Sequence, residues 1–349
     1  MKVIILTFYK ANNYGALLQC YALSQKVKEY GHEVELLDIP LKKDSKKKFG
    51  IKGKVREWLI KNRTGKFRKK YLPDSSKVFD EVSLKQNYPE ADLYIVGSDQ
   101  VWNYDITKED QLLYYFNFLK NNEKRISYAA SFGLDEKDYN PSNASEIRDH
   151  LKKFSGISIR EEVGVNICKS FYGIQSVKVL DPVFLLRSYD FLLENKKENN
   201  KKTIVSYKYS KNEKWYDDLH DLSQKMELKP ISLNDIILNK NIKAIPFPTV
   251  EKWVTTISNA SFVITDSFHC MVFAILFKKD FVVLPSSYKR SSRMKSLLSD
   301  LGLSDRYFQT YEEVVESKIW EKKINYPSVF SKIEDLRKDS INFLEKFLK

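Results

Sequence analysis
The chain has only four histidines. One of them, His269, lies in the run SFVITDSFHC at residues 261–270, where an apolar strand passes into a polar turn. That turn presents Asp266, Ser267 and His269 just ahead of a helix expected over 271–277. In an open α/β sheet the carboxyl ends of strands face the ligand crevice, and backbone N–H groups at the following helix N-terminus attract anions. The helix dipole there disfavours a second positive charge, so a neutral imidazole able to take a proton from a hydroxyl is one reading of His269. A buried histidine satisfied by a backbone partner is the other.

Other strand ends carry polar residues in the same way. The first βα turn runs from Tyr9 to Gly15, and its single glycine rules out a dinucleotide fingerprint. Asn13 offers an amide and Gly15 a close backbone approach, which suits a sugar or phosphate as well as an ordinary helix cap. After the apolar run at 93–96 come Ser98, Asp99, Gln100, Trp102 and Asn103. A carboxylate, amides and an indole are what a sugar site uses, hydrogen bonds for the hydroxyls and a flat apolar face for the ring. Asp99 is also a candidate base, and Ser98 or Asp99 would serve equally as a helix cap. Arg160 ends the strand ISI, where a guanidinium suits a two-pronged contact to a carboxylate or phosphate; a salt bridge to Glu161, Glu162 or another acid is its competing role. Lys289, Arg290 and Arg293 follow the last strand and add cations on the side of His269.

The elements that must position these residues alternate. Strands are expected at 3–7, 33–38, 93–96, 125–130, 156–159 and 177–180, with helices at 16–30, 141–154 and 161–169 between them. A charged, asparagine-rich stretch at 194–202 reads as a linker. A second set then follows, with strands at 203–207, 229–232, 261–265 and 281–284 and helices at 214–226 and 250–259. The pattern implies two Rossmann-like, doubly wound α/β domains with a crevice between them, over 1–190 and 203–325, and a terminal helix over 326–349. At 349 residues and 42% hydrophobic content, two such cores are affordable.

No stretch approaches the length of a spanning helix, and the apolar start MKVIILTFYK reads as a first strand, being too short for a signal peptide. Three scattered cysteines, Cys20, Cys168 and Cys270, argue against a disulfide framework or a zinc site and fit a reducing cytoplasm. There is no Walker loop, G-x-S-x-G elbow or H-E-x-x-H, and no metal site is expected. The net charge of +13 is a patch: residues 42–70 hold fourteen Lys/Arg against Asp44 and Glu57. Val55, Trp58, Leu59 and Phe67 lie among those cations, a composition suited to an anionic membrane surface. A solvated lysine face is the plainer reading, and no nucleic-acid module accompanies the patch, so no nucleic-acid partner is expected.

The blocks NNYGALLQCYAL, YIVGSDQVWN, RISYAASFG, SIREE, VLDPVFLL and FVITDSFHC, in that order, resemble the polysaccharide pyruvyl transferase family from Lys2 to about Arg306. The resemblance implies a GT-B-like fold. It also implies transfer from phosphoenolpyruvate, with no further cofactor, to two hydroxyls of one sugar, leaving a cyclic pyruvate ketal and phosphate. The sugar would belong to a surface polysaccharide, exopolysaccharide or capsule, or to its lipid-linked oligosaccharide precursor at the cytoplasmic face of the membrane. Arg160 matches the family's donor-binding arginine and His269 its catalytic histidine. Where some members carry an arginine two residues before that histidine, this chain has Ser267, so Arg290 or Arg293 is the expected substitute. Two other functions stay open: a GT-B glycosyltransferase using a nucleotide sugar, and a non-catalytic glycan-binding relative.

Overall fold
The computed structural model describes residues 1–349 apart from 41–50, 195–201, 210, 212, 237–239 and 286–290, and the side chains of 51–56 are also left undescribed. The expected linker therefore lies almost wholly outside the described residues, as do Lys289, Arg290 and the first part of the basic stretch, residues 42–50.

The chain forms two compact units. The first comprises Met1–Phe49, Arg68–Leu186 and Ile333–Lys349. Its strands are β1 (Lys2–Leu6), β2 (Glu33–Asp38), β3 (Ser75–Val78), β4 (Leu93–Asp99), β5 (Arg125–Ala130), β6 (Gly156–Ile159) and β7 (Val177–Lys178). They make one parallel sheet in the order β3-β2-β1-β4-β5-β6-β7. Successive residues of β1 point to opposite faces: Ile4 and Leu6 join one apolar cluster with Tyr94 and Val96, and Val3 and Ile5 join the other with Leu93 and Ile95. Both faces are therefore covered, which explains why these strands read as continuous apolar runs. Gly97 lets β4 and β5 approach closely, since a Cβ there would lie 2.2 Å from the Tyr128 carbonyl oxygen.

Helices α1 (Tyr14–Glu29), α3 (Glu81–Gln86), α4 (Tyr104–Thr107), α5 (Ala144–Leu151) and α6 (Glu162–Tyr172) accompany these strands, while α2 (Ile51–Tyr71) belongs to the second unit as far as Phe67 and to the first from Arg68. Helix α2 was not expected. Its dense lysine and arginine content hides the register of Thr64 and Phe67, which among its described side chains are the two that are buried. The strand expected at 177–180 is only two residues long, because the chain turns at Asp181-Pro182 into a short 3-10 turn, Pro182–Leu185.

The second unit comprises Gly50–Phe67 and Arg187–Lys332. Strands β8 (Thr203–Tyr207), β9 (Lys229–Leu233), β10 (Lys243–Ile245), β11 (Phe262–Thr265) and β12 (Asp280–Val283) form a parallel sheet in the order β10-β9-β8-β11-β12. Its helices are α7 (Glu213–Lys225), α8 (Val250–Ser258), α9 (Phe268–Leu276), α10 (Ser292–Leu301) and α11 (Tyr311–Ser317). The last helix, α12 (Tyr326–Leu348), ends on the first unit. There Ser340 accepts from the Leu180 N–H at 2.9 Å, Arg337 donates to the Phe184 carbonyl at 2.6 Å, and Tyr30 donates to Glu345 at 2.8 Å.

Each sheet reverses its strand order once, between β1 and β4 in the first unit and between β8 and β11 in the second. Such a reversal opens a crevice beyond the carboxyl ends of the two strands, because their connections leave in opposite directions. The polar strand ends singled out in the sequence follow β1 and β4, and β11.

Candidate active site
In the first unit the reversal brings Thr7 and Ser98 together. The Thr7 hydroxyl donates to the Ser98 carbonyl at 3.0 Å and accepts from Gln19 Nε2 at 3.0 Å. Ser98 Oγ in turn donates to Asp181 Oδ2 at 3.1 Å. Asp181 also accepts from the Val183 N–H at 3.0 Å and from Arg160 Nη1 at 2.8 Å. A second guanidinium nitrogen of Arg160 lies 3.7 Å from Asp99 Oδ1. The Arg160 and Asp181 side chains are 1% and 0% exposed, against 13% for Asp99.

Burial works against the Arg160 charge, but Asp181, Asp99 and Glu161 outweigh it and hold its pKa above the usual arginine value. One guanidinium thus answers three carboxylates. The salt-bridge alternative describes Arg160 here, with Asp181 and Asp99 as the acids. In this arrangement Arg160 fixes the Asp99 and Asp181 carboxylates relative to each other. Asp181, 21 residues further on, is not among the candidate site residues read from the sequence; its signals there are the Asp-Pro turn and its place in the VLDPVFLL block.

Asp99 keeps a partly exposed carboxylate and a backbone φ of +75°, a left-handed conformation that a non-glycine residue holds only under constraint. Its carbonyl oxygen accepts from the Ser131 N–H at 3.0 Å and its Oδ1 from the Gln100 N–H at 2.9 Å. Glu161, fully buried, takes the Ser131 hydroxyl at 2.8 Å and the Phe132 N–H at 3.0 Å, fixing the turn after β5.

The residues expected to bind a sugar separate into two groups. Asn13, Asp99 and Gln100 are partly exposed at the ends of β1 and β4. Asn13 is the N-cap of α1, its Oδ1 accepting from the Ala16 N–H at 3.2 Å. Ser98, Trp102, Asn103 and Gly15 are buried. The indole of Trp102 is fully buried and stacks on Tyr115 with centroids 5.1 Å apart and planes 11° from parallel; its Nε1 donates to the Tyr114 carbonyl. Trp102 is a core residue, and no face of it is offered to a sugar ring. Asn103 caps α4 and donates to the Gln100 side chain at 2.8 Å, so its amide orients Gln100.

In the second unit the strand-to-helix turn is tightly ordered. The Thr265 hydroxyl donates to the Tyr207 carbonyl at 2.6 Å and accepts from the Ser267 N–H at 3.0 Å. Asp266 accepts from the Tyr209 N–H at 2.8 Å, tying the end of β11 to that of β8. Ser267 is the N-cap of α9. Because Ser267 caps the helix and Phe268 already packs inward, α9 starts three residues earlier than the sequence suggests. His269 therefore occupies the first helical turn, largely buried. Its ring meets Phe268 edge-on, with centroids 5.2 Å apart, and the Arg293 guanidinium carbon from α10 lies 5.7 Å from the Phe268 ring centre. Of the three cations expected beside His269, Arg293 is brought to the start of its helix, while Lys289 and Arg290 lie outside the described residues. The thiol of Cys270, the residue after His269, is buried and pushed up to about 12 by desolvation.

Lys208, which the sequence reading passed over, ends β8 beside this turn. It is buried, donates to the Leu284 carbonyl at 2.6 Å and lies 4.5 Å from the Trp215 ring centre. Burial pulls its pKa below the usual lysine value, with Asp266 and Asp218 opposing. Its one signal was a cation directly after the strand TIVSY.

Three solved structures share this architecture at low sequence identity. A UDP-GlcNAc 2-epimerase from Neisseria meningitidis aligns at a TM-score of 0.61 and 13% identity, over 99% of this chain and 100% of that one. The UDP-GlcNAc 2-epimerase of Methanocaldococcus jannaschii aligns at 0.58 and 12%, over 96% and 98%. The spinosyn forosaminyltransferase SpnP aligns at 0.51 and 11%, over 100% and 99%. The fold is GT-B. No curated protein matches the chain in sequence. The family model described as polysaccharide pyruvyl transferase matches residues 13–288, taking in the Asn13 cap, the Asp99–Arg160–Asp181 cluster and the His269 turn, and the chain belongs to that family.

Proposed function
We propose that the protein transfers a pyruvyl group from phosphoenolpyruvate to two hydroxyls of one sugar in a surface polysaccharide or its lipid-linked precursor. One hydroxyl oxygen bonds to the enol carbon as the methylene carbon takes up a proton. The first hydroxyl's proton is lost in that step, balancing the one taken up by the methylene carbon; the carbon–oxygen bond to phosphate then breaks, and the second hydroxyl closes the ketal as its proton passes to the departing phosphate. The reaction needs a group to move protons and positive charge for the donor's carboxylate and phosphate.

The observation that carries this reading is the placing of His269 in the first turn of α9, at the strand-order reversal, in a member of this family. His269 is the proton-transfer residue, and the amides at the start of α9 favour an anionic donor. Arg293 supplies the charge that Ser267 lacks. In the first unit Asp99, Gln100 and Asn13 are the acceptor-side groups, Asp99 as the carboxylate for a hydroxyl proton, and Arg160 holds Asp99 in position. A cytoplasmic location goes with this donor.

Calorimetry with phosphoenolpyruvate tests the division of roles. Arg293→Ala is expected to weaken donor binding at least tenfold, on the order of one charge-assisted hydrogen bond. His269→Ala should still bind the donor. Binding of a nucleotide sugar in place of phosphoenolpyruvate would make the protein a glycosyltransferase, and binding of neither would leave the glycan-binding reading.

A further inference from the structure
Helix α2 carries a surface that the proposed reaction does not use. Its buried side chains, Thr64 and Phe67, face inward, and Arg63 anchors it by donating to the Pro246 carbonyl at 2.9 Å. Trp58, Lys61, Asn62 and Lys66 are all exposed. Residues three to four apart share a helix face, so the Trp58 indole stands beside Lys61 and Asn62, with Lys66 one turn on. Trp58 is 63% exposed, among the most exposed large apolar side chains described. Among the described residues neither Lys61 nor Lys66 has an ion-pair partner, and Glu57 is the only acid in the sequence from 57 to 71. Lys69 and Lys70, further along, are exposed as well.

We propose that this face of α2 docks on an anionic lipid surface, with the lysines over the headgroups and the Trp58 indole at the acyl boundary. The charge is complementary. An aromatic ring exposed on a cationic helix face finds both of its preferred surroundings at a membrane interface and only one of them in water. Among the described residues no helix is long and apolar enough to cross a membrane, so this contact is peripheral. The inference stands apart from the reaction proposed above, and its failure would leave that reading untouched.

The test is co-sedimentation of the full chain with vesicles of phosphatidylcholine alone and of phosphatidylcholine mixed with phosphatidylglycerol. Heparin serves as a soluble polyanion, and circular dichroism checks that each variant is folded. The wild type is expected to partition onto the anionic vesicles only, and less so as salt rises. The double variant Lys61→Glu, Lys66→Glu should lose at least about tenfold in partitioning. Trp58→Ala should lose roughly tenfold, together with part of the tryptophan quenching by brominated lipid. Equal binding to both vesicle types, or a folded double variant that binds like the wild type, would overturn the proposal. So would Trp58→Ala partitioning unchanged while heparin binds tightly, which would make the face a site for soluble polyanions.

Discussion

Replacing Arg160 by methionine keeps much of the apolar stem of the side chain and removes its charged head. The Arg160 and Asp181 side chains are 1% and 0% exposed and meet at 2.8 Å, so the substitution strands a carboxylate where water cannot reach it. Deleting one partner of a buried pair typically costs about 3–5 kcal/mol. Asp181 keeps the Ser98 hydroxyl and the Val183 N–H as donors, which puts the expected cost near the lower end, about 3 kcal/mol. For a unit of this size each kcal/mol moves the midpoint by roughly 2–4 °C, so the first unit should melt about 6–12 °C lower. Thermal unfolding followed by circular dichroism reads this directly. Arg160→Met, Asp181→Asn should recover part of the loss, because the neutral amide no longer needs a counter-charge. A single variant that melts within about 2 °C of the wild type, yet has lost donor binding, would refute the positioning role and return Arg160 to the ligand.

Trp102→Ala empties a fully buried site stacked on Tyr115, and should cost about 3–5 kcal/mol in stability; a stable variant with a raised acceptor KM would instead make the indole a sugar platform. Lys208 gives a pH signature. Its folded-state pKa is depressed by burial, so on the alkaline side the unfolded chain holds the proton that the folded chain has lost. The burden of burying that charge is fully present below the folded pKa, and stability recovers as pH rises from there toward 10.5. Lys208→Met has no proton to lose and should lack this rise, so the stability difference between wild type and variant should change with pH across that interval. A difference independent of pH there would mean that burial leaves Lys208 unperturbed.

Much of the frame was readable because both faces of each sheet are covered. The strands at 125–130, 156–159 and 203–207 fall where largely apolar runs end in polar turns, and the one at 33–38 where Val34, Leu36 and Leu37 supply the apolar positions. The His269 turn was readable for a local reason, an apolar strand followed by a capping serine. What escaped depends on partners distant in sequence. Trp102 is taken into the core by Tyr114 and Tyr115, which lie in a 3-10 stretch with no clear periodicity. Arg160 finds Asp181 across a whole helix and strand, and neither residue announces the other. Helix α2 escaped because its charges dominate composition while its inward face is narrow.

The most direct test of the central claim is phosphate release from phosphoenolpyruvate, measured with a panel of galactosyl, glucosyl and N-acetylmannosaminyl acceptors for wild type and His269→Ala. Pyruvyl transfer predicts release that depends on one class of acceptor, yields an acid-labile ketal on that sugar, and vanishes in the variant while donor binding remains. Release that is indifferent to acceptor, or that survives in His269→Ala, would contradict the account.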